Sequence, residues 1–257
     1  MNGAIACVSS VALLQYGINL RMIIILMIIM MGAQLMRCIP SSWQKSFVEN
    51  YSTYALNMLN FDIEGREYLK FWSKPKIVIF NHLNYLDAMM VAHVLRGKSL
   101  FSIGKHDIME RLPIKLLAFN RIMMHHDILF VKKNDLDSIE EVLEQAIKRL
   151  EEKSLMICPE GTRNKNSPDL LPFEDGAFLL STITEAEIIC ITHDMRSFVK
   201  QNTSQVKMIV SKPISPIGKT IDELKNQCHE IMSHNYRQLH AMYNPSFESF
   251  KFLPNAM

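Results

Sequence analysis

The feature that most constrains the fold is an alternation, from residue 76 onward, of short apolar runs rich in β-branched and aromatic residues with longer helical patterns. Such runs, too short to be helices and flanked by helical segments on both sides, are typical of strands that are covered on both faces. The chain therefore predicts an α/β fold with a mixed, largely parallel sheet flanked by helices. The predicted strands are 77–80, 99–103, 128–131, 155–158, 188–192 and 206–210, and the predicted helices between and after them are 85–96, 136–151, 176–183 and 221–243.

The N-terminal segment is far more apolar than the rest of the chain. Residues 22–31 read MIIILMIIMM, and the apolar character continues to Met36. We expect residues 1–40 to be a membrane anchor, either one spanning helix or a shallow re-entrant pair of helices, because such a run has no polar face for water. A buried core helix is the alternative. Arg37 and Lys45 follow directly, which by the positive-inside tendency places residues 41–257 on the cytoplasmic side.

Residues 41–59 form a second pattern, with aromatic residues recurring near helical spacing among polar ones. This pattern predicts an amphipathic helix. The helix either packs on the following domain or lies with its aromatic side chains at headgroup depth in a membrane. The sequence leaves both positions open.

Charge and cysteine content exclude several classes of protein. With 28 basic and 26 acidic residues the formal charge is only +2, so no nucleic-acid partner is expected. The five cysteines are an odd number and form no CxxC pair, which predicts neither a disulfide framework nor a metal site. A reducing compartment is the expected setting.

Two segments that directly follow predicted strands contain most of the polar residues with candidate chemistry. Each segment is called a strand exit. Residues 81–87 read NHLNYLD directly after the predicted strand 77–80, and residues 159–164 read PEGTRN directly after the strand 155–158. Active sites of open α/β sheets form outside the carboxyl ends of strands. These two segments are therefore the candidate functional site.

In the first segment, His82 and Asp87 lie five positions apart, which on a continuous helix separates them by about 140°. We expect a bend that brings them together, with Asn84 capping a helix that starts at Tyr85. Asp87 could then bond one ring nitrogen of His82 and leave the other as a base. The alternative is that Asp87 is an ordinary carboxylate at a helix N-terminus and His82 an ordinary turn residue.

The second segment offers groups suited to a polar ligand. Arg163 presents a planar fork that fits phosphate, and Glu160 can bond a hydroxyl or orient the arginine. Gly161 permits close approach of a ligand to the main chain. The alternative is that Glu160 and Arg163 form a solvated ion pair in a surface turn.

Together, NHLNYLD and CPEGTRN resemble the His-x4-Asp and Pro-Glu-Gly-Thr-Arg motifs of the glycerolipid acyltransferase family, whose best-known members are the 1-acylglycerol-3-phosphate acyltransferases. Between them, GKHDIMERLPI from Gly104 resembles the second motif of that family. The resemblance covers about residues 77–216. It implies that His82 is the general base and Asp87 its orienting partner, and that a further set of residues binds substrate: Lys105, Lys133, Glu160, Gly161, Thr162 and Arg163.

The resemblance also implies the reaction, a step of phospholipid biosynthesis. A fatty acyl group would pass from acyl-CoA or acyl carrier protein to the free hydroxyl of a lysophospholipid, above all 1-acylglycerol-3-phosphate, to give phosphatidic acid. No cofactor beyond the acyl donor and no metal is expected. The alternatives are glycerol-3-phosphate or another lysolipid as acceptor, or a non-catalytic lipid-binding scaffold on the same fold. A serine hydrolase is disfavoured because the chain has no GxSxG.

Three departures from the family pattern bear on the acceptor. Lys133 stands where many relatives have arginine, so the charge is kept and the bidentate fork is lost. The Phe-Lys-Lys-Gly of the family is replaced by Phe173, Glu174, Asp175 and Gly176, which reverses two charges. A later strand has Cys190 at the position of a proline. The catalytic pair is intact, and the identity of the acceptor stays open.

Overall fold

The computed structural model describes residues 24–25, 27–28, 31–32, 35, 38–70, 72–84, 86–106, 127–165, 169–195 and 205–243. A single seven-stranded sheet organises this part of the chain. Its strands are β1 (Asn60–Glu64), β2 (Ile77–Phe80), β3 (Leu100–Lys105), β4 (Ile128–Val131), β5 (Ser154–Ile157), β6 (Ile188–His193) and β7 (Gln205–Val210).

The sheet is mixed, and most of its pairings are parallel. Its strand order is β1-β7-β6-β2-β5-β3-β4. The only antiparallel contact between neighbouring strands of this sheet is β6 with β7, and β1 pairs parallel to β7. Strands β6, β2, β5, β3 and β4 therefore run in one direction, and their carboxyl ends lie at one edge of the sheet. The predicted fold class is confirmed.

Helices cover both faces of the sheet, and each face has its own apolar core. One core includes Leu56 and Met90, and the other includes Ala146, Phe178 and Met232. All four residues of β2 are buried, which explains why this strand is apolar throughout. The described helices are α1 (Ser41–Leu56), α2 (Asp87–Val94), α3 (Leu136–Arg149), α4 (Gly176–Thr184) and α5 (Ile221–Tyr243), with a 3₁₀ turn at Arg66–Leu69.

All six predicted strands occur, with ends within two residues of those expected. The prediction missed β1, whose residues NFDIE alternate between exposed and half-buried positions and contain no continuous apolar run. Helix α5 begins with a capping box. Thr220 N–H donates to Glu223 Oε2 at 2.8 Å, and Glu223 N–H donates to Thr220 Oγ1 at 3.2 Å.

The predicted anchor, residues 1–40, lies largely outside the described residues. Within the parts of the chain that are described, no helix combines the length and apolar character needed to cross a membrane. Ile25 is fully buried in the same core as Leu56, whereas Met27 and Met31 are 65% and 57% exposed. The expected membrane anchor and the domain boundary at residue 40 therefore stay predictions.

Candidate active site

The turn after β2 brings His82 and Asp87 together. His82 Nδ1 lies 3.0 Å from Asp87 Oδ2. The Asp87 side chain is fully buried, whereas 22% of the His82 side chain is exposed. A buried carboxylate thus holds one nitrogen of an imidazole that can be reached from solvent, which is the arrangement of an oriented general base.

The helix after this turn begins later than predicted. Helix α2 starts at Asp87 and not at Tyr85, so Asn84 is not its N-cap. Asn84 instead closes a local turn, because its Oδ1 accepts a hydrogen bond from Leu86 N–H at 2.7 Å. Asp87 Oδ2 also accepts from the main-chain N–H groups of Leu83 and Asn84, at 2.5 and 2.7 Å. These bonds hold the main chain of Leu83 and Asn84 against the carboxylate, and the helix begins only at Asp87.

Glu160 connects the two strand exits. Its Oε1 accepts from His82 N–H and its Oε2 from Leu171 N–H, both at 2.9 Å. Only 3% of the residue is exposed. Asn164 N–H also donates to His82 O at 2.8 Å, so the main chain of His82 is held through both its N–H and its carbonyl by the segment after β5. Binding of substrate by Glu160 stays a prediction, and the observed carboxylate has a positioning role.

The other residues of the second motif lie beside this connection. Gly161 has φ +59°, a left-handed conformation that favours glycine, and a Cβ there would lie 3.1 Å from Glu174 Cγ. Thr162 is exposed and Arg163 half-buried. The loop that contains them is therefore packed next to His82, and both Thr162 and Arg163 keep exposed surface there.

Lys105 and Lys133 are placed farther along the same edge. Lys105 ends β3, which is separated from β2 by β5. Lys133 follows β4, and its Nζ lies 3.4 Å from Glu174 Oε1, with both side chains more than half exposed. Glu174 thus stands between Lys133 and Gly161. The rest of the second family motif, including Pro113, lies outside the described residues.

Burial shifts the pKa values of two side chains close to the His82–Asp87 pair, Glu160 and Cys158. It raises the pKa of Glu160 above the ordinary value of 4.5, against the opposing effect of the two main-chain hydrogen bonds. Burial, with the nearby charges of Asp87 and Glu160, raises the pKa of the Cys158 thiol well above its usual range. Both effects favour the neutral thiol, which is a poor nucleophile.

Sequence reasoning missed two buried polar residues of this site. Asn81, directly before the base, exchanges hydrogen bonds with the main chain of His193 at the end of β6: Asn81 Nδ2 donates to His193 O at 2.8 Å, and His193 N–H donates to Asn81 Oδ1 at 3.0 Å. Both residues are fully buried. The available signal was a third polar segment, Thr192 to Asp194, at the end of the predicted strand 188–192.

The chain is similar to known proteins in sequence and in fold. The family model described as Acyltransferase matches residues 60–194, just over half of the chain. The chain is 26% identical over 184 residues to human 1-acyl-sn-glycerol-3-phosphate acyltransferase beta, covering 67% of this chain and 63% of the relative. It is 28% identical over 195 residues to a putative 1-acyl-sn-glycerol-3-phosphate acyltransferase of Caenorhabditis elegans, covering 71% of this chain and 70% of the relative.

A solved structure supports the same fold. The crystal structure of PlsC, a 1-acyl-sn-glycerophosphate acyltransferase from Thermotoga maritima, superposes with a TM-score of 0.62 and covers 85% of this chain and 96% of that chain. The two sequences are 14% identical, so this likeness concerns the fold. The alignment with the human relative leaves more than a third of that relative unmatched.

Proposed function

We propose that this chain, which belongs to the acyltransferase family, transfers a fatty acyl group from a thioester donor to the free hydroxyl of 1-acylglycerol-3-phosphate, giving phosphatidic acid. The donor would be acyl-CoA or acyl carrier protein. The human and nematode relatives, both named as acyltransferases of this acceptor, support the choice.

The observation that carries the proposal is the His82–Asp87 pair. A hydroxyl is a weak nucleophile until a base takes its proton, and a partly exposed imidazole fixed by a buried carboxylate supplies that base. With Asp87 accepting from Nδ1–H, the basic nitrogen is Nε2. A lipid-binding scaffold would have no need of this pair.

The reaction then follows in two steps. As His82 Nε2 takes the proton of the acceptor hydroxyl, the oxygen attacks the thioester carbonyl carbon and a tetrahedral intermediate forms. The intermediate collapses with cleavage of the carbon–sulfur bond, and the leaving thiolate takes the proton from the imidazolium. Asp87 stabilises the imidazolium between these steps. General-base assistance contributes about 10²- to 10⁴-fold, so positioning of both substrates must supply the remainder.

The acceptor phosphate would be bound by the second motif. Arg163 offers two parallel N–H donors to phosphate oxygens, and Gly161 lets the ligand approach the main chain. Lys105 and Lys133 add positive charge along the same edge of the sheet. We propose these as substrate-binding residues together with Glu160 and Thr162.

A second acceptor is favoured by one observation. Glu174 places a carboxylate against Gly161 and pairs with Lys133, which lowers the positive field beside the motif. An acceptor with a less negative headgroup, such as a zwitterionic lysolipid, would fit this balance better. Glycerol-3-phosphate, which has the same phosphate and lacks an acyl chain, is the remaining alternative.

We also propose that the protein works at a membrane, with its catalytic domain on the cytoplasmic side. The proposed acceptor and its product each have an acyl chain, and such lipids partition into bilayers. The described helical residues before α1 expose large apolar side chains, and Trp43 at the start of α1 is 70% exposed. Apolar surface of this kind marks sites of membrane or protein contact.

The function is tested with membranes that contain the protein, labelled acyl-CoA or acyl carrier protein, and a panel of acceptors: 1-acylglycerol-3-phosphate, glycerol-3-phosphate and zwitterionic lysolipids. We expect labelled phosphatidic acid from wild type. His82→Ala should lower kcat by about 10²-fold or more, because the base is lost. His234→Ala, an exposed histidine on α5, is the matched control and should retain activity.

Each outcome decides between the alternatives. Preference for another acceptor would identify that acceptor as the substrate. Equal rates for wild type and His82→Ala would show that His82 is not the base. A wild type that forms no product with any acceptor or donor would favour the scaffold.

A further inference from the structure

A second histidine lies beside the catalytic pair. His193 is the last residue of β6, the strand next to β2, and its side chain has no exposed surface. Its Nε2 lies 3.8 Å from Asp87 Oδ1, the carboxylate oxygen that faces away from His82. Asp87 therefore stands between two imidazoles, one partly exposed and one buried.

The polar atoms that face each other here have no hydrogen-bond partner among the described residues. These atoms are Asp87 Oδ1 and both ring nitrogens of His193. The other carboxylate oxygen, Oδ2, accepts three hydrogen bonds. A buried imidazole always carries at least one N–H, and leaving that donor unsatisfied is costly. The nearest acceptor shown for it is Asp87 Oδ1.

The side chain of Asn81 holds the backbone of His193 close to the backbone of His82. The amide of Asn81 exchanges two hydrogen bonds with the backbone of His193, and Asn81 is covalently next to His82. The backbone of His193 is thus fixed, and its ring needs to move by about 1 Å to reach hydrogen-bonding distance of Asp87. Such a movement is small for a side chain.

We propose that His193 is a positioning residue that donates an N–H to Asp87 Oδ1 in the substrate-bound enzyme. The hydrogen bond would link His193, Asp87 and His82 in one chain at the edge of the sheet. It would hold the carboxylate plane of Asp87 in the orientation that His82 requires. This inference rests on the proposed function, because it assigns a role within that reaction.

The hydrogen bond would also tune the base. A donor to Asp87 draws charge from the carboxylate and weakens its attraction for the imidazolium of His82. Without the donor, the imidazolium is held more tightly and the acid limb of the pH profile moves to higher pH. In the described residues, the other ionisable groups beside this cluster include Glu160 and Cys158 after β5, and Asp194, which follows His193 and contacts His240 of α5.

The test compares His193→Phe, which keeps the ring and loses the donor, with His193→Gln, which keeps a donor. We expect His193→Phe to lower kcat about tenfold with little change in KM, since a hydrogen bond to a charged group is lost. The acid limb of its kcat profile should move to higher pH. His193→Gln should restore most of kcat and the wild-type limb. His229→Phe, a half-buried histidine on the opposite face, is the matched control.

A wild-type rate and pH profile in His193→Phe would overturn the proposal. So would equal losses in the Phe and Gln variants with an unmoved acid limb, because that result indicates packing alone. Melting temperatures of both variants show whether they fold.

A second measurement does not depend on activity. In protein labelled with ¹⁵N-histidine, we expect a protected downfield imidazole N–H resonance that is lost in His193→Gln. If wild type forms product and this resonance is absent both free and with bound acceptor, the inference fails and the proposed function stands. If the resonance is present and no acceptor is acylated, the proposed function fails instead.

Discussion

At the scale of single residues, Glu160 shows how a conspicuous motif carboxylate can act through the main chain. Both of its oxygens accept main-chain hydrogen bonds, one from His82 and one from Leu171. The residue therefore fixes the base relative to the loop that contains Arg163. Substrate contact by Glu160 would add to this role, because a carboxylate has further lone pairs to offer.

The raised pKa of Glu160 predicts a pH dependence of stability. Because the folded state binds this proton more tightly than the unfolded chain, the free energy of unfolding should fall as pH rises from about 4.5 through the raised value. Glu160→Gln should lack that slope. Above this window it should be at least as stable as wild type, because an uncharged amide avoids the cost of burying a carboxylate.

Thermal melts in detergent across this pH range measure both effects. The exposed Glu230→Gln on α5 is the matched control and should keep the wild-type slope. A Glu160→Gln variant with an unchanged slope would show that Glu160 does not titrate in this window.

At the scale of elements, the turn between β2 and α2 is built by the residue that also orients the base. Asp87 satisfies two main-chain N–H groups of the turn and His82 at once. The capping and catalytic interpretations of Asp87, which sequence spacing set against each other, are therefore both consistent with the observed geometry. The helix begins two residues later than expected because those N–H groups bond the side chain.

The loop after β5 depends on the left-handed conformation of Gly161. Gly161→Ala should destabilise the protein by about 1–2 kcal/mol from backbone strain and also displace Glu174, so that kcat/KM falls. Gly218→Ala is the matched control, since Gly218 has φ +76° with open space around it. It should cost similar stability and leave kcat/KM unchanged.

Melting temperatures and kinetics with the preferred acceptor measure these effects. Equal kcat/KM in the two variants would show that the conformation of Gly161 matters for folding alone.

At the scale of the whole molecule, the parallel part of the sheet brings distant segments together. His82 and Glu160 are 78 positions apart, yet β2 and β5 are neighbours with parallel register, so both exits reach the same edge. Strand β6 lies on the other side of β2 and brings His193 to the same place. The site is therefore a product of strand order.

The exposed apolar side chains before α1 predict how the molecule meets a membrane. Ile25 is buried and Gly32 lies against the Tyr51 ring, so this segment packs on α1, whereas Met27, Met31 and Leu35 are exposed. Replacing these three residues by glutamate should reduce co-sedimentation with liposomes of mixed anionic and zwitterionic lipids.

Ile217→Glu is the matched control, because Ile217 is 72% exposed and lies between β7 and α5, far along the chain from the N-terminal segment. It should sediment like wild type. Unchanged sedimentation of the triple variant would show that another surface binds the membrane. Point substitutions are preferable to removal of residues 1–36, which would uncover the core that Ile25 fills.

The sequence by itself determined the fold class, six strands and the two residues, His82 and Asp87, that are proposed as the catalytic pair and that the structure brings together. Buried strands must be apolar, and a base with its orienting carboxylate must be polar, so both leave a pattern that is readable in one dimension. The exposed-to-half-buried alternation of β1 left a weaker pattern and was missed.

Only the tertiary structure decided what the polar residues contact. The main-chain bonds of Glu160, the late start of α2 and the position of His193 beside Asp87 depend on which strands are neighbours and on side-chain directions at their ends. Strand order is set by packing of the whole sheet, which local sequence does not encode. The sequence therefore predicted which residues form the candidate site, and only the tertiary structure showed the contacts that hold them in place.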